Sequence, residues 1–222
     1  MLPRALLHAF AFATVLPGAA GAHPHVFIDT AFELIFDADG ALEAVRIDWA
    51  YDEFYSLMMI EESGLDADGD GSPEQSALDA FAGQDVDWAS GFPGDFTIAQ
   101  DGEAVMLSAP VDHRVRYEAG RVVTSHVRPL VAPLDVSQGA VTAQAYDPTY
   151  FVAYDVPGTP GISGREDCRL NRETADREAA TAEYGAKLAE IDESSDTFEA
   201  VELPDIGVLF ADRFLLTCAA SS

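Results

Sequence analysis

Eleven consecutive residues, 26–36, alternate so regularly that few folds can hold them. Val26, Ile28, Phe32, Leu34 and Phe36 fall on one face, with Thr30 the only polar member. His25, Phe27, Asp29, Ala31 and Glu33 fall on the other. A period of two residues means a strand with one buried and one wet face, the usual state in an antiparallel sheet. Asp39-Gly40 then marks a turn, and Val45, Ile47, Trp49 and Tyr51 repeat the alternation. Residues 24–51 therefore read as a β-hairpin.

The period changes after Asp52. Phe54, Leu57, Met58 and Glu61 have helical spacing, which predicts an amphipathic helix to about Glu62. A second helix is expected to start with Ser72 as N-cap, Pro73 in the first helical position and Gln75 completing a capping box. It should run to about Phe81. Strand signals then return in pairs around turn residues. Segments 96–100 and 104–109 flank Asp101-Gly102, 111–117 and 121–131 flank Glu118-Ala119-Gly120, and 140–146 and 150–156 flank Asp147-Pro148. Residues 158–164 read as a Pro/Gly loop and 171–191 as a polar helix. Alanines 175, 179, 182, 186 and 189 form a shallow packing stripe on that helix. The class expected is α+β: a mainly antiparallel β-sheet body, a helix-loop-helix insert at about 52–83, and one or two C-terminal helices.

Residues 1–22 fit a cleavable Sec-type signal peptide. Arg4 precedes an apolar run from Ala5 to Val15, Pro17-Gly18 breaks it, and Ala20 and Ala22 occupy an A-x-A site. The run is too short to cross a bilayer core of about 30 Å, and no cysteine follows it to carry a lipid, so no direct membrane anchor is expected. The remaining residues, 23–222, suit one β-rich domain, exported to the periplasm or secreted. Removing Arg4 leaves 11 basic against 39 acidic side chains, a net charge of −28. Such a surface repels nucleic acid and gathers cations. Cys168 and Cys218 are expected to pair in an oxidising compartment, and no C-x-x-C spacing supports a redox role.

Cleavage after Ala22 puts an α-amine on His23, with His25 two residues on, and both imidazoles of a strand then face one side. Pro24 has no N–H to surrender, so an amino-terminal square-planar copper or nickel site cannot form, and ligation falls to the imidazoles and the amine. Asp29, four strand residues from His25, lies about 13 Å away and is not a partner. If Ala119-Gly120 centres a tight hairpin, paired residues sum to 239, and His113 and His126 meet across the strands. Such a pair can share one ion, or can be an ordinary surface pair; a register slip of one residue separates them.

Asp66, Asp68, Asp70 and Gly71 match positions one, three, five and six of an EF-hand loop, with Ser72 at seven and Glu74 at nine. Ala77 stands where the bidentate glutamate belongs, so calcium binding should be weak, and a solvated helix-capping turn is the competing reading. Nucleophile-elbow, zincin, P-loop and dinucleotide motifs are all absent, and an enzyme is not expected.

With these motifs placed, the chain resembles a bacterial family, domain of unknown function one thousand and seven, also described as the periplasmic component of an uncharacterised ABC-type transport system. The resemblance rests on H-P-H-V-F-I-D at 23–29, the D-x-D-x-D-G loop at 66–71, Y-D-P-T-Y-F at 146–151 and Cys218. It implies a place beside nickel/cobalt or other divalent-metal transporters, and it carries over no ligand or catalytic residue. The function expected is a periplasmic accessory protein that binds a divalent transition metal (nickel, cobalt, zinc or copper) at His23, His25, His113 and His126 and serves a membrane metal transporter. The alternatives are a non-catalytic interaction module without its own metal site, and a copper-histidine redox protein. Amino-terminal sequencing of exported protein should read His-Pro-His; any other start removes the amine from the candidate ligands.

Overall fold

The computed structural model describes residues 24–194 and 205–219, and side chains from residue 24 to 187 and again from 205. The predicted leader and His23 lie outside the described residues.

The alternating run becomes the central strand β1 (Val26–Phe36), and its even-numbered residues, Thr30 included, are buried without exception. β1 pairs antiparallel with β2 (Leu42–Tyr51), with Phe32 opposite Ile47 and Thr30 opposite Trp49. The turn between them is tied by Asp37, whose carboxylate accepts from the backbone N–H of Asp39 and of Ala41. Two helices follow, α1 (Glu53–Ser63) and α2 (Gln75–Phe81). Then come β3 (Phe96–Gln100), β4 (Glu103–Val105), β5 (Val111–Glu118), β6 (Arg121–Leu134), β7 (Val141–Ala145) and β8 (Val152–Asp155). The chain closes with β9 (Gly161–Ser163), β10 (Cys168–Glu173), α3 (Arg177–Ser194) and β11 (Arg213–Cys218).

The strands form two sheets. One runs β5-β6-β2-β1-β8, with β9 added to β1 beyond β8; the other runs β10-β11-β7-β3-β4. Phe32 joins them, its ring edge-on to Phe96 of β3 at 5.0 Å and to Phe214 of β11 at 5.2 Å. The fold is α+β, dominated by antiparallel pairing and with a helix-loop-helix segment between β2 and β3.

Several expectations need correcting. Residues 140–146 and 150–156 are not a hairpin: β7 lies in the second sheet, whereas β8 runs parallel to the head of β1 in the first. The Asp147-Pro148 turn moves the chain between sheets, and the Asp147 carboxylate holds it by accepting from the backbone of Thr149, Phe151 and Val152. The 158–164 loop contains β9, parallel to Glu33–Ile35, because the chain returns to the edge that β8 leaves uncovered. Gly164 is required there: at φ +83 a Cβ would stand 2.2 Å from the Phe36 carbonyl oxygen.

The polar helix starts later than its composition implied, since 168–173 pairs with β11. Of the alanine stripe, Ala179, Ala182 and Ala186 of α3 face water and Ala175, just before it, is half-buried, whereas Ala180 is the buried alanine; the side chain of Ala189 lies outside those described. In α2 the N-cap is Glu74, not Ser72, so no capping box forms. In α1 the buried residues are Ser56, Met59 and Ile60, while Phe54, Leu57 and Met58 are 71%, 55% and 37% exposed. Ser56 was unreadable as core because its burial is paid for by tertiary partners: its hydroxyl donates to the Tyr51 carbonyl and accepts from Val122 N–H.

Cys168 and Cys218 stand opposite each other at the end of the β10–β11 ladder and form the disulfide. Replacing both by serine opens a loop spanning 50 residues, and the expected loss is roughly 4 kcal/mol on the chain-entropy account. Phe32→Ala removes the ring between the sheets and should cost about 3–5 kcal/mol. Urea unfolding monitored by circular dichroism checks both values.

Candidate functional site

The histidine pair is built by a strand and a kinked edge. β6 carries His126 on the inner face of the first sheet, opposite Ile47 of β2. The hairpin register sums to 239 from Glu118↔Arg121 through Arg114↔Ser125, and then slips by one at a bulge before Val111. Asp112 takes φ 55 at that bulge, a strand kink of the kind that re-aims a side chain. His113 and His126 are brought together, ring centroids 6.0 Å apart. Gly83 makes room: at φ +81, a Cβ there would touch the His113 ring at 2.9 Å.

Aromatic rings enclose His126. Trp49 stands edge-on at 4.8 Å and Trp88 at 5.1 Å, and the two indoles stack on each other. Trp88 comes from a one-turn 3-10 helix, whose preceding Asp87 accepts from the Ala89 and Ser90 backbone. Arg128 lies over the Trp88 ring and is held by the Ser108 and Pro93 carbonyls. Burial, with help from His113 and Arg128, pushes the His126 pKa down to about 3, so the imidazole is neutral at ordinary pH. Its Nε2 is buried with no hydrogen-bond partner among the described residues, as are Nε1 of Trp49 and of Trp88. His113 is half-buried and opens on a cavity of about 590 Å³ beneath α2. Nothing in the sequence marked Trp88 as part of this site; a 3-10 turn has no periodicity to read.

His25 belongs elsewhere. It precedes β1, stacks near Phe151 at 4.8 Å, and its backbone N–H donates to the Phe151 carbonyl. His126 is level with Phe32 through Ile47, and seven strand residues separate Phe32 from His25, about 23 Å. His25 and the 113/126 pair therefore cannot share an ion, and His23 lies outside the described residues. Asp29 pairs with Arg121 at 2.6 Å.

In the acidic loop, Asp66, Asp68 and Glu74 each place a carboxylate oxygen within 4.8 Å of the others. Backbone donors already fix them: Gly69, Asp70 and Gly71 donate to Asp66, and Ala67 and Asp68 donate to Glu74. Those bonds, Ala67 N–H first, hold Glu74 below the usual carboxylate range. Asp70 turns instead to Ser72 N–H, and Ala77 is half-buried against the core.

The two most specific motifs meet at another place. The described part of the first motif, 24–29, and the 146–151 segment pack side by side, through the β1–β8 pairing and the His25–Phe151 contact, around a cavity of about 390 Å³. A buried tyrosine, Tyr51, and a half-buried one, Tyr154, face it. Tyr51 donates to Asp85 at 3.1 Å and Tyr154 donates to Asp95 at 2.9 Å. Burial raises both phenols well above their usual range and lifts Asp95 to about 7. No sequence signal singled out Asp95 as a site residue; it stands at the point where strand signals return.

These features define an α+β protein of two β-sheets with an aromatic-walled histidine pair, a preformed acidic loop and a separate carboxyl-lined cavity. The chain belongs to the family described as protein of unknown function (DUF1007), whose sequence profile matches residues 8–218. No curated protein matches it.

Asp95 and His126 pull stability in opposite directions with pH. Asp95 binds its proton more tightly folded than unfolded, so its contribution is favourable at acid pH and is lost as pH rises from about 4 through about 7. His126 binds its proton less tightly folded, so its contribution is intact above about 6.5 and is lost as pH falls toward 3. Asp95→Asn should therefore stabilise the protein at pH 8, by up to about 4 kcal/mol, and be neutral near pH 4. Urea melts of the two proteins at both pH values measure the difference.

Proposed function

We propose that this chain is an exported accessory protein that binds a divalent transition metal and passes it to or from a membrane transporter, with His113 and His126 as its ion site. The observation that carries the reading is the buried, neutral imidazole of His126, whose Nε2 has no partner among the described residues and which faces a second imidazole open to a water-accessible cavity. A buried nitrogen left unpaired costs about 1–3 kcal/mol, which a bound ion would recover. Imidazole suits nickel, cobalt, zinc and copper and does not choose among them. Two protein ligands completed by water suit an ion that must be released rather than stored. The His23 amine and imidazole with His25 would form a second, separate site at the head of β1. The exposed Phe54, Leu57 and Met58 of α1 give a transporter an apolar surface to meet.

Calorimetric titration of nickel and of zinc into protein beginning at His23 tests the site. His113→Ala and His126→Asn should each weaken one of the binding events at least tenfold, and His25→Ala should leave that event unchanged. Binding that ignores both inner-face substitutions reduces His126 to a core histidine.

The three converging carboxylates favour a further ion at the loop, a hard cation such as calcium. Calcium takes six to eight oxygens, and with Ala77 in the closing position water must supply many of them, so affinity should be millimolar. At ten-millimolar calcium the gain in stability should be on the order of 1 kcal/mol, absent in Asp68→Ala and read as a shift in melting temperature.

A further inference from the structure

The cavity beside β1 has a chemistry of its own. The rings of Tyr55, Phe92 and Phe151 and the Tyr51 and Tyr154 pairs with Asp85 and Asp95 wall it, and among the described residues no lysine, arginine or histidine lines it. An anionic ligand would find no counter-charge there. A wholly neutral apolar ligand would strip water from Asp85 and Asp95 and give nothing back. A bare metal ion is also a poor fit. Among the described residues, the three-ligand cluster lies at 66, 68 and 74, and this cavity has the size of sites for small organic molecules.

Asp95 shows that the place is built rather than incidental. Its side chain is almost wholly buried, at 8% exposure, yet it is a carboxyl group. Its backbone sits at φ 42, a left-handed conformation that a non-glycine residue holds only when its surroundings impose it. Those surroundings are specific: the Asp95 carbonyl accepts from Tyr146 N–H, and its carboxylate accepts from the Tyr154 hydroxyl. The second carboxylate oxygen is not claimed by any of these bonds. The same arrangement recurs at Asp85, where Tyr51 takes one oxygen.

We propose that this cavity binds a small organic ammonium ion, its charged nitrogen between the carboxylates of Asp85 and Asp95 and its apolar body on the rings of Tyr55, Phe92 and Phe151. Aromatic faces attract a cation as well as apolar carbon, so one wall serves both parts of such a ligand. The chain's net charge of −27 concentrates cations near its mouth. Asp147, the third carboxyl of the lining, is spent on the backbone N–H groups of its own turn. The site is independent of the histidine pair and rests on none of the metal reading.

The test is calorimetry on protein beginning at His23 with three probes of one shape: phenethylamine, phenethyl alcohol and 3-phenylpropionate. At pH 8 the amine should bind at least tenfold more tightly than the alcohol, and the carboxylate should not bind. Asp95→Asn should weaken the amine at least tenfold, leave the alcohol unchanged and leave nickel binding unchanged. Lowering the pH to 5.5 should weaken the amine about thirtyfold, because Asp95, with a pKa of about 7, must give up its proton to receive the cation. The described groups that face it, Tyr154, Tyr146, Asp147, Asp85 and Tyr51, include none that gains positive charge over that range. If Asp95→Asn does not fold, Asp85→Asn, at a half-buried position, should show at least a threefold loss. Equal affinity for amine and alcohol, or no binding of the amine at millimolar concentration, overturns the proposal.

Discussion

The buried face of β1 is the constraint on which the structure depends. Six alternate side chains, Val26 through Phe36, must leave water together, and one sheet cannot cover them. The second sheet does so, and Phe32 is where the two meet, edge-on to Phe96 and Phe214 at once. The edges of the same strand are used as fully as its face. β2 takes one edge along nearly its whole length, and β8 and β9 divide the other. A chain that fixes β1 therefore fixes the places of three other strands, β2, β8 and β9. Slippage of one residue would put Glu33 and Asp29 into the core, so the register has no close competitor.

Around that frame the protein buries titratable groups at two separate places and shifts each toward its neutral form. His126 is held neutral among indoles, and Asp95 is held protonated through mildly acidic pH beside a tyrosine. Their linkages oppose each other between about pH 4 and 6.5: acidification costs the folded state at His126 and relieves it at Asp95. The arginines do related work at the boundary. Arg121 reaches from β6 across β2 to the Tyr51 and Ala50 carbonyls and to Asp29 on β1, tying three strands with one guanidinium. In a chain so acidic, each arginine has carboxylates to choose from; those that matter here also satisfy backbone oxygens.

Much of the site was legible where local rules govern. The sum of 239 across the Ala119-Gly120 turn follows from hairpin geometry, and it placed His113 near His126 before any fold was known. The acidic loop was legible for the same reason, because spacing alone sets which carboxylates can converge; only its exit was misread, with Glu74 rather than Ser72 opening α2. The separation of His25 from the pair was not legible, since it depends on β1 lying two strands from β6. Nor were Trp88 and Asp95, whose roles come from what packs on them.

By itself the sequence determined the β1–β2 hairpin, the helical segment after it, the 118–121 turn and the pairing of two cysteines in one chain. Each is a matter of period, turn chemistry or counting. Only the tertiary structure decided that 146–151 crosses between sheets, that β8 and β9 run parallel to β1, and that Ser56 rather than Leu57 faces inward. Those outcomes turn on which edge and which face remain uncovered once β1 is buried. A chain's local pattern carries no information about that until the other sheet is in place.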